Sequence, residues 1–301
     1  MKTRAVVLAL ALSLSVPAAA AERLAVALTP PSARPGDIVL LRVTEAPVEL
    51  QGEWGGRPLR FFPVPGGRAA LVGVDLEAAV KPVAWRLYRP MAGGGRLVVA
   101  AGAFGVRPWS FGTQTLTLPP GQVDLDAATL ARVRAEQAEL RQVLASSASE
   151  RLWRGGFRVP VEDGHPTGGF GLRRIINGQL RSPHAGYDWA APRGTPIRPA
   201  NAGRVALVAE HFFAGRLVVL DHGLGLFTLY FHLDDIRVET GDRVEVSQPL
   251  GSLGATGRVT GAHLHFAVSL DGARVDPMAL LSLPLPPEGS PDGTPGRAAT
   301  D

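Results

Sequence analysis

The chain has 301 residues, enough for two domains with cores of their own. It contains no cysteine, which excludes disulfides, thiolate metal sites and a lipid anchor on an N-terminal cysteine. The formal net charge of +4 comes almost entirely from arginine, Lys2 and Lys81 being the only lysines, and no basic stripe interleaved with aromatics marks a nucleic-acid surface.

Residues 1–21 read as a secretory signal peptide. Lys2 and Arg4 give a positive start, Ala5 to Val16 is apolar, and Ala19-Ala20-Ala21 offers a small-residue cleavage site before Glu22. The apolar run is short for a bilayer span, and no later stretch is long enough for one, so the mature chain is expected to be exported without a membrane span, to the periplasm, cell envelope or beyond. Residues 1–21 hold no acid, so their removal lowers the charge to +2.

Residues 22–118 carry short apolar strands between turns: Leu24, Val26 and Leu28 in alternation, the run Ile38 to Val43 after Arg34-Pro-Gly-Asp37, then Trp85 to Tyr88 and Leu97 to Ala101. This pattern predicts an immunoglobulin-like β-sandwich serving as an accessory domain. Pro119-Pro120-Gly121 closes it. A linker helix is predicted within 119–149, capped by Asp124 or Asp126, with Leu130, Val133, Leu140 and Leu144 at helical spacing. From 150 to 284 strand signals return without a helical period: Val205 to Val208, Leu217 to Leu220, Leu226 to Leu233, Val244 to Leu250 and Leu264 to Leu270. Asp271-Gly272 is a tight-hairpin signal. The Pro-, Gly-, Ser- and Thr-rich residues 285–301 read as a disordered tail. The class is mainly β, with an antiparallel C-terminal domain.

The chemistry lies in that C-terminal part, since no histidine precedes position 165. Side chains alternate along a strand, so His263 and His265 share a face opposite Leu264, Phe266, Val268 and Leu270. Upstream, Thr228, Tyr230 and His232 share a face opposite Phe227, Leu229, Phe231 and Leu233. Packing both apolar faces into one core would line one cleft with histidines. In His184-Ala-Gly-Tyr-Asp188, Pro183 and Gly186 argue for a loop entering a strand. One imidazole and one carboxylate from it, with a second imidazole from a distant strand, make a three-ligand set with an open position, as in catalytic zinc sites. His222 reads as a turn or supporting residue, His211 and His165 as surface or loop residues, and Trp189 as core. Tyr230 reads either as a groove residue or as a half-buried strand tyrosine.

His184-Ala-Gly-Tyr-Asp-Trp-Ala-Ala-Pro-Arg-Gly-Thr-Pro196, Tyr230-Phe-His-Leu233 and Thr256-Gly-Arg-Val-Thr-Gly-Ala-His-Leu-His-Phe266 closely resemble the lysostaphin-like (LytM-type) zinc metallopeptidases, in the same order. The resemblance covers roughly residues 150–284. It implies one Zn²⁺ held by His184, Asp188 and His265, catalytic roles for His232 and His263, and a site in a groove of an antiparallel sheet. It implies hydrolysis of peptide bonds in peptidoglycan stem peptides or cross-bridges, and names no protein partner. The tyrosine that many members place before the first ligand is missing from 171–181, where Arg174 or Asn177 stands as a substitute or merely shapes the loop. The alternative within this resemblance is a non-catalytic regulator of cell-wall amidases on the same fold. The N-terminal domain would either bind wall polymer or cover the groove.

Overall fold

A computed structural model describes residues 24–286; the expected signal peptide, 1–21, and residues 287–301 of the expected tail lie outside the described residues. The first nine strands are β1 (Val26–Thr29), β2 (Ser32–Ala33), β3 (Ile38–Thr44), β4 (Gln51–Trp54), β5 (Arg57–Pro58), β6 (Phe61–Val64), β7 (Gly67–Gly73), β8 (Val83–Pro90) and β9 (Arg96–Val106). They form two sheets, of order β1-β3-β7-β6 and β2-β9-β8-β4-β5. Val39, Leu41, Val43 and Val72 from the first sheet meet Trp54, Leu87, Val99 and Phe104 from the second in one core, a sandwich.

The other face of the first sheet is also buried. Ile38 and Leu40 of β3, Phe62 and Val64 of β6, and Ala69 and Leu71 of β7 belong to the same apolar cluster as Trp153, Trp189, Phe266, Leu270 and Val275 of the C-terminal half. This two-sided burial explains why residues 38–43 read as a mostly apolar run, broken only by the exposed Arg42, and not as an alternation. Phe62 meets Trp153 edge-on, ring centroids 5.4 Å apart. Arg274 ties the halves from the other side, donating to Asp75 at 2.7 Å and to Glu77 at 2.7 Å.

β10 (Thr113–Leu116) leaves the sandwich altogether. It pairs in parallel with β12 (Arg173–Ile176), which in turn pairs with β13 (Gln179–Leu180). A 3-10 turn over Pro120–Gln122 follows, and then α1 (Ala127–Leu144), whose N-cap Asp126 accepts a hydrogen bond from the Thr129 amide at 2.7 Å. Val133 is the buried residue of α1, while Leu140, Val143 and Leu144 pack on Leu207, Leu217 and Phe227. Leu130, the first residue of the expected stripe, is exposed.

The remaining strands are β11 (His165–Gly168), β14 (Gly186–Ala190), β15 (Pro196–Ile197), β16 (Gly203–His211), β17 (Gly215–Asp221), β18 (Leu226–Ile236), β19 (Arg243–Val244), β20 (Gly251–Leu253), β21 (Leu264–Leu270) and β22 (Ala273–Val275). They build one large sheet along β11-β14-β21-β18-β17-β16-β19, with β22 on β21 and β20 beside β18. Asp271 and Gly272, both at positive φ (48° and 78°), turn β21 into β22. Two expectations fail locally. Residues 245–250 are not strand, because a turn closed by Gln248 N donating to Glu245 O breaks the run. A five-residue helix, α2 (Pro277–Leu281), occurs where no helical period was visible; it is too short to show one. Among the described residues no helix is long and apolar enough to cross a membrane.

Candidate active site

β14 and β21 are neighbours in register, with Asp188 directly opposite His265. His184 sits two residues ahead of β14 and is fixed at both ends: its amide donates to Leu172 O and its carbonyl accepts from Gly171 N. Gly186 is required by close approach, since a Cβ there would lie 2.6 Å from the His265 ring and from Phe266 O. The three side chains converge. His184 Nε2 is 3.0 Å from Asp188 Oδ1, His265 Nδ1 is 2.8 Å from the same oxygen, and the two nitrogens are 2.9 Å apart.

These distances carry a chemical constraint. His184 Nδ1 lies 2.7 Å from Gly169 O, a carbonyl that can only accept, so the ring proton sits on Nδ1 and Nε2 presents a lone pair. Three acceptor atoms therefore face one point, and at most one proton, on His265 Nδ1, separates them. A divalent cation satisfies all three; their separations are near the ~3.3 Å edge of a tetrahedron with bonds of about 2.0–2.1 Å. The donor set fits a borderline metal such as zinc better than hard-oxygen cations. Burial works to raise the Asp188 pKa, but its close contact with the His184 and His265 imidazoles outweighs it and holds the carboxyl well below the usual carboxylate range. Burial pushes His265 down to about 4, so its imidazole is neutral near pH 7, as a ligand must be.

His232 and His263 flank this cluster. Their rings lie 4.8 Å apart, and His263 Nε2 is 3.9 Å from Asp188 Oδ1. Each donates Nδ1–H to a carbonyl, His232 to Thr256 O and His263 to Gly261 O, both at 2.9 Å. Each therefore turns an Nε2 lone pair towards the pocket. Burial, reinforced by the neighbouring His265 and His263, pushes His232 down to about 3.

His232 does not reach the site by strand alternation. Paired residues share a face, and Tyr230 pairs with Phe266 while Phe231 pairs with His265. Tyr230 thus faces the main core with Phe266, and Phe231 stacks on His265 with ring centroids 5.3 Å apart. Alternation alone would send His232 into that core. Instead its backbone adopts φ +66°, and the kink swings the ring onto the His265 side. The expected shared face of Thr228, Tyr230 and His232 is accordingly corrected, and Tyr230 is a core residue with no exposure.

Tyr230 instead belongs to a buried relay. His222 Nδ1–H donates to Ala202 O at 2.7 Å, leaving Nε2 to accept from the Thr228 hydroxyl at 2.7 Å. The Tyr230 hydroxyl is 2.9 Å from Thr228 Oγ1 and accepts from the Ala200 amide. His211, expected as a surface or loop residue, is the last residue of β16 and is buried against Glu139 of α1 at 2.9 Å. His165 is exposed, and Trp189 is core as expected.

The site opens into a pocket of about 220 Å³. Its walls include residues no local pattern could flag: Gln114, Leu116 and Leu118 arrive through the long-range pairing of β10 with β12. Arg174 lines the pocket, its Nη2 3.8 Å from Asp188 Oδ2. Asn177 does not: its side chain is committed to the amide and carbonyl of Leu118.

Comparison with known proteins agrees with this geometry. Residues 182–277 match the model of peptidase family M23. The chain is 38% identical over 135 residues to the peptidoglycan DD-endopeptidase ShyB of Vibrio cholerae, spanning 44% of this chain and 32% of that one. It is 32% identical over 133 residues to the DD-carboxypeptidase/endopeptidase Mpg of Neisseria meningitidis, spanning 40% and 30%. The chain thus matches about a third of the length of these curated relatives. A crystal structure from Pseudomonas aeruginosa, described as a peptidase M23, superposes with a TM-score of 0.65 at 30% identity, over 83% of this chain and 95% of that one. With a likeness extending through both halves and the His-Asp-His cluster inside the matched segment, the chain belongs to peptidase family M23.

Proposed function

We propose that the chain is a zinc-dependent endopeptidase that hydrolyses peptide bonds in peptidoglycan, acting in the cell envelope after export. The observation that carries this reading is the convergence of His184 Nε2, Asp188 Oδ1 and His265 Nδ1 within 3.0 Å of one another, beneath two further imidazoles whose Nε2 atoms are unoccupied acceptors. His184, Asp188 and His265 would hold the cation, which when bound supplies Lewis acidity to a carbonyl and to a water. The names of the relatives supply the substrate class.

The remaining work falls to the chain's own side chains. His232 and His263 each commit Nδ1 to a backbone carbonyl and turn Nε2 to the pocket, so either can take a proton there from the attacking water as its oxygen bonds to the scissile carbonyl carbon. The imidazolium so formed returns that proton to the amide nitrogen as the C–N bond breaks. Positioned proton transfer of this kind contributes roughly 10²–10⁴-fold. Burial keeps His232 a weak base, so the more accessible His263 is the better-placed proton carrier, with His232 helping to orient the water. Spare acceptors of this kind also weigh against the amidase-regulator alternative, for which neither metal nor base is needed.

The test is digestion of purified cross-linked peptidoglycan by the full chain, before and after chelation and zinc readdition. Release of uncross-linked muropeptides, abolished by chelation and restored by zinc, is the expected result. An intact cross-link profile under all three conditions would refute the proposal.

A further inference from the structure

The pocket holds more positive charge than the structure itself uses. Its charged lining residues are Arg174, Arg258 and Asp188. Asp188 is already engaged with His184 and His265. Arg174 donates only a long bond from Nε to Gln114 Oε1, 3.4 Å, and its 3.8 Å separation from Asp188 Oδ2 is beyond hydrogen-bond reach. The Arg258 guanidinium stacks on Phe213, 3.9 Å from the ring centroid, and its one hydrogen bond is a 3.4 Å contact to Gln122 O. Among the described residues no carboxylate lies within salt-bridge distance of Arg258. The two guanidiniums feel each other: burial first, then Arg174 and Arg181, lower the Arg258 pKa to about 10. Arg174 shares Asp188 with the two histidines at 3.8 Å and Arg258 has no carboxylate partner, so the pair carries a net positive excess that is costly when partly buried and that a bound divalent cation would increase.

We infer that Arg174 and Arg258 form a carboxylate-recognition site beside the scissile bond, so that the enzyme selects peptides carrying a free carboxylate next to the cleaved amide over neutral ones such as glycine bridges. The inference rests on the peptidase reading above. Guanidinium is suited to the task because its fixed fork matches a carboxylate, and Phe213 holds the Arg258 plane in place. A substrate carboxylate would be drawn into a pocket already positive and would supply the missing counter-charge, contributing about tenfold or more in affinity. Arg174 and Arg258 reach the pocket from different segments, one on β12 and one in the loop before β21.

The experiment compares a purified cross-linked muropeptide dimer with the same dimer whose free carboxylates have been converted to primary amides. The zinc-loaded full chain is expected to cleave the free acid with a kcat/KM about tenfold or more above the amide, mostly through KM. In Arg258→Gln that ratio falls towards one, and Arg258→Lys retains part of it. Arg174→Gln lowers the ratio in the same way at unchanged zinc content. Equal kcat/KM on the two dimers by the wild-type chain overturns the inference while leaving the peptidase reading intact. An unchanged ratio in Arg258→Gln does the same. A loss of kcat in Arg174→Gln that is identical on both dimers removes Arg174 from the recognition site. If neither dimer is cleaved, the peptidase reading falls and this inference with it.

Discussion

At the residue scale, the division between ligands and proton carriers is the sharpest consequence of the geometry. Asp188 touches both His184 and His265, whereas His263 comes no nearer than 3.9 Å to the carboxylate. Asp188→Ala should therefore lose bound zinc and activity together. His263→Ala should keep its zinc and lose about 10²–10⁴-fold in rate. Metal content by elemental analysis, set beside the rate of peptidoglycan digestion, checks both, and equal zinc loss in the two variants would contradict the assignment. His222 gives a second prediction. Burial lowers its pKa from 6.5 to about 4, so the fold favours the neutral ring. That contribution is complete above about pH 6.5 and is lost as pH falls towards 4, where the unfolded chain takes up a proton that the folded chain declines. The displacement corresponds to about 3 kcal/mol at most. The melting temperature should drop through this window, and His222→Gln should flatten the drop while lowering stability at pH 7. His265 is depressed to a similar value, so the slope should shrink without vanishing. A variant melting profile parallel to that of the wild type would show that His222 does not titrate here.

At the element scale, β18 shows both how far sequence reaches and where it stops. The histidines of His184-Ala-Gly-Tyr-Asp188 and of His263-Leu-His265 are legible, because ligand-type residues at close spacing where a loop enters a strand leave a pattern. The location of His232 in the site was legible from its motif, yet its face was misassigned, because alternation presumes regular β backbone and His232 stands at φ +66°. Nothing in Tyr230-Phe-His-Leu233 announces that kink. The same limit hid β10 from view: four residues with no distinctive composition pair in parallel with a strand sixty positions onward, and only the tertiary structure brings Gln114 and Leu116 to the pocket. The kink predicts its own test. A left-handed backbone is tolerated by Asn and resisted by β-branched residues. His232→Asn and His232→Val both remove the imidazole and its bond to Thr256 O, so both should be inactive. Val should additionally cost about 1–3 kcal/mol of backbone strain. At about 2–4 °C per kcal/mol for a chain of this size, the Val variant should melt several degrees below the Asn variant. Equal melting temperatures would mean that β18 relaxes to regular strand once the ring is gone.

At the scale of the whole molecule, the N-terminal sandwich and the C-terminal sheet share one core and should behave as one cooperative body. The sequence marks a break at Pro119-Pro120-Gly121, but β10, which precedes it, already pairs with β12 of the C-terminal half, and the packing crosses it too. Phe62, Leu40 and Leu71 on one side and Trp153, Leu270 and Val275 on the other form a single cluster. Fully burying each large apolar side chain in such a seam is worth about 1.5–3 kcal/mol, so a handful of them rivals the net stability of a domain. Gly73 sits at a tight point of this seam, where a Cβ would come within 3.0 Å of Ala273 Cβ and of Val275 Cγ1. Gly73→Val should force β7 away from β22 and cost about 1–3 kcal/mol by overpacking, with the pocket residues untouched. Calorimetry should show a single transition in the full chain and the same single transition, lowered by several degrees, in the variant. Residues 150–284 expressed alone should expose the Trp153 face, bind a hydrophobic dye and aggregate, which makes loss of activity on truncation a stability effect before it is evidence about substrate binding. Two well-separated transitions in the full chain, or a soluble and cooperatively melting 150–284 fragment, would show that the seam is only a contact between independent domains.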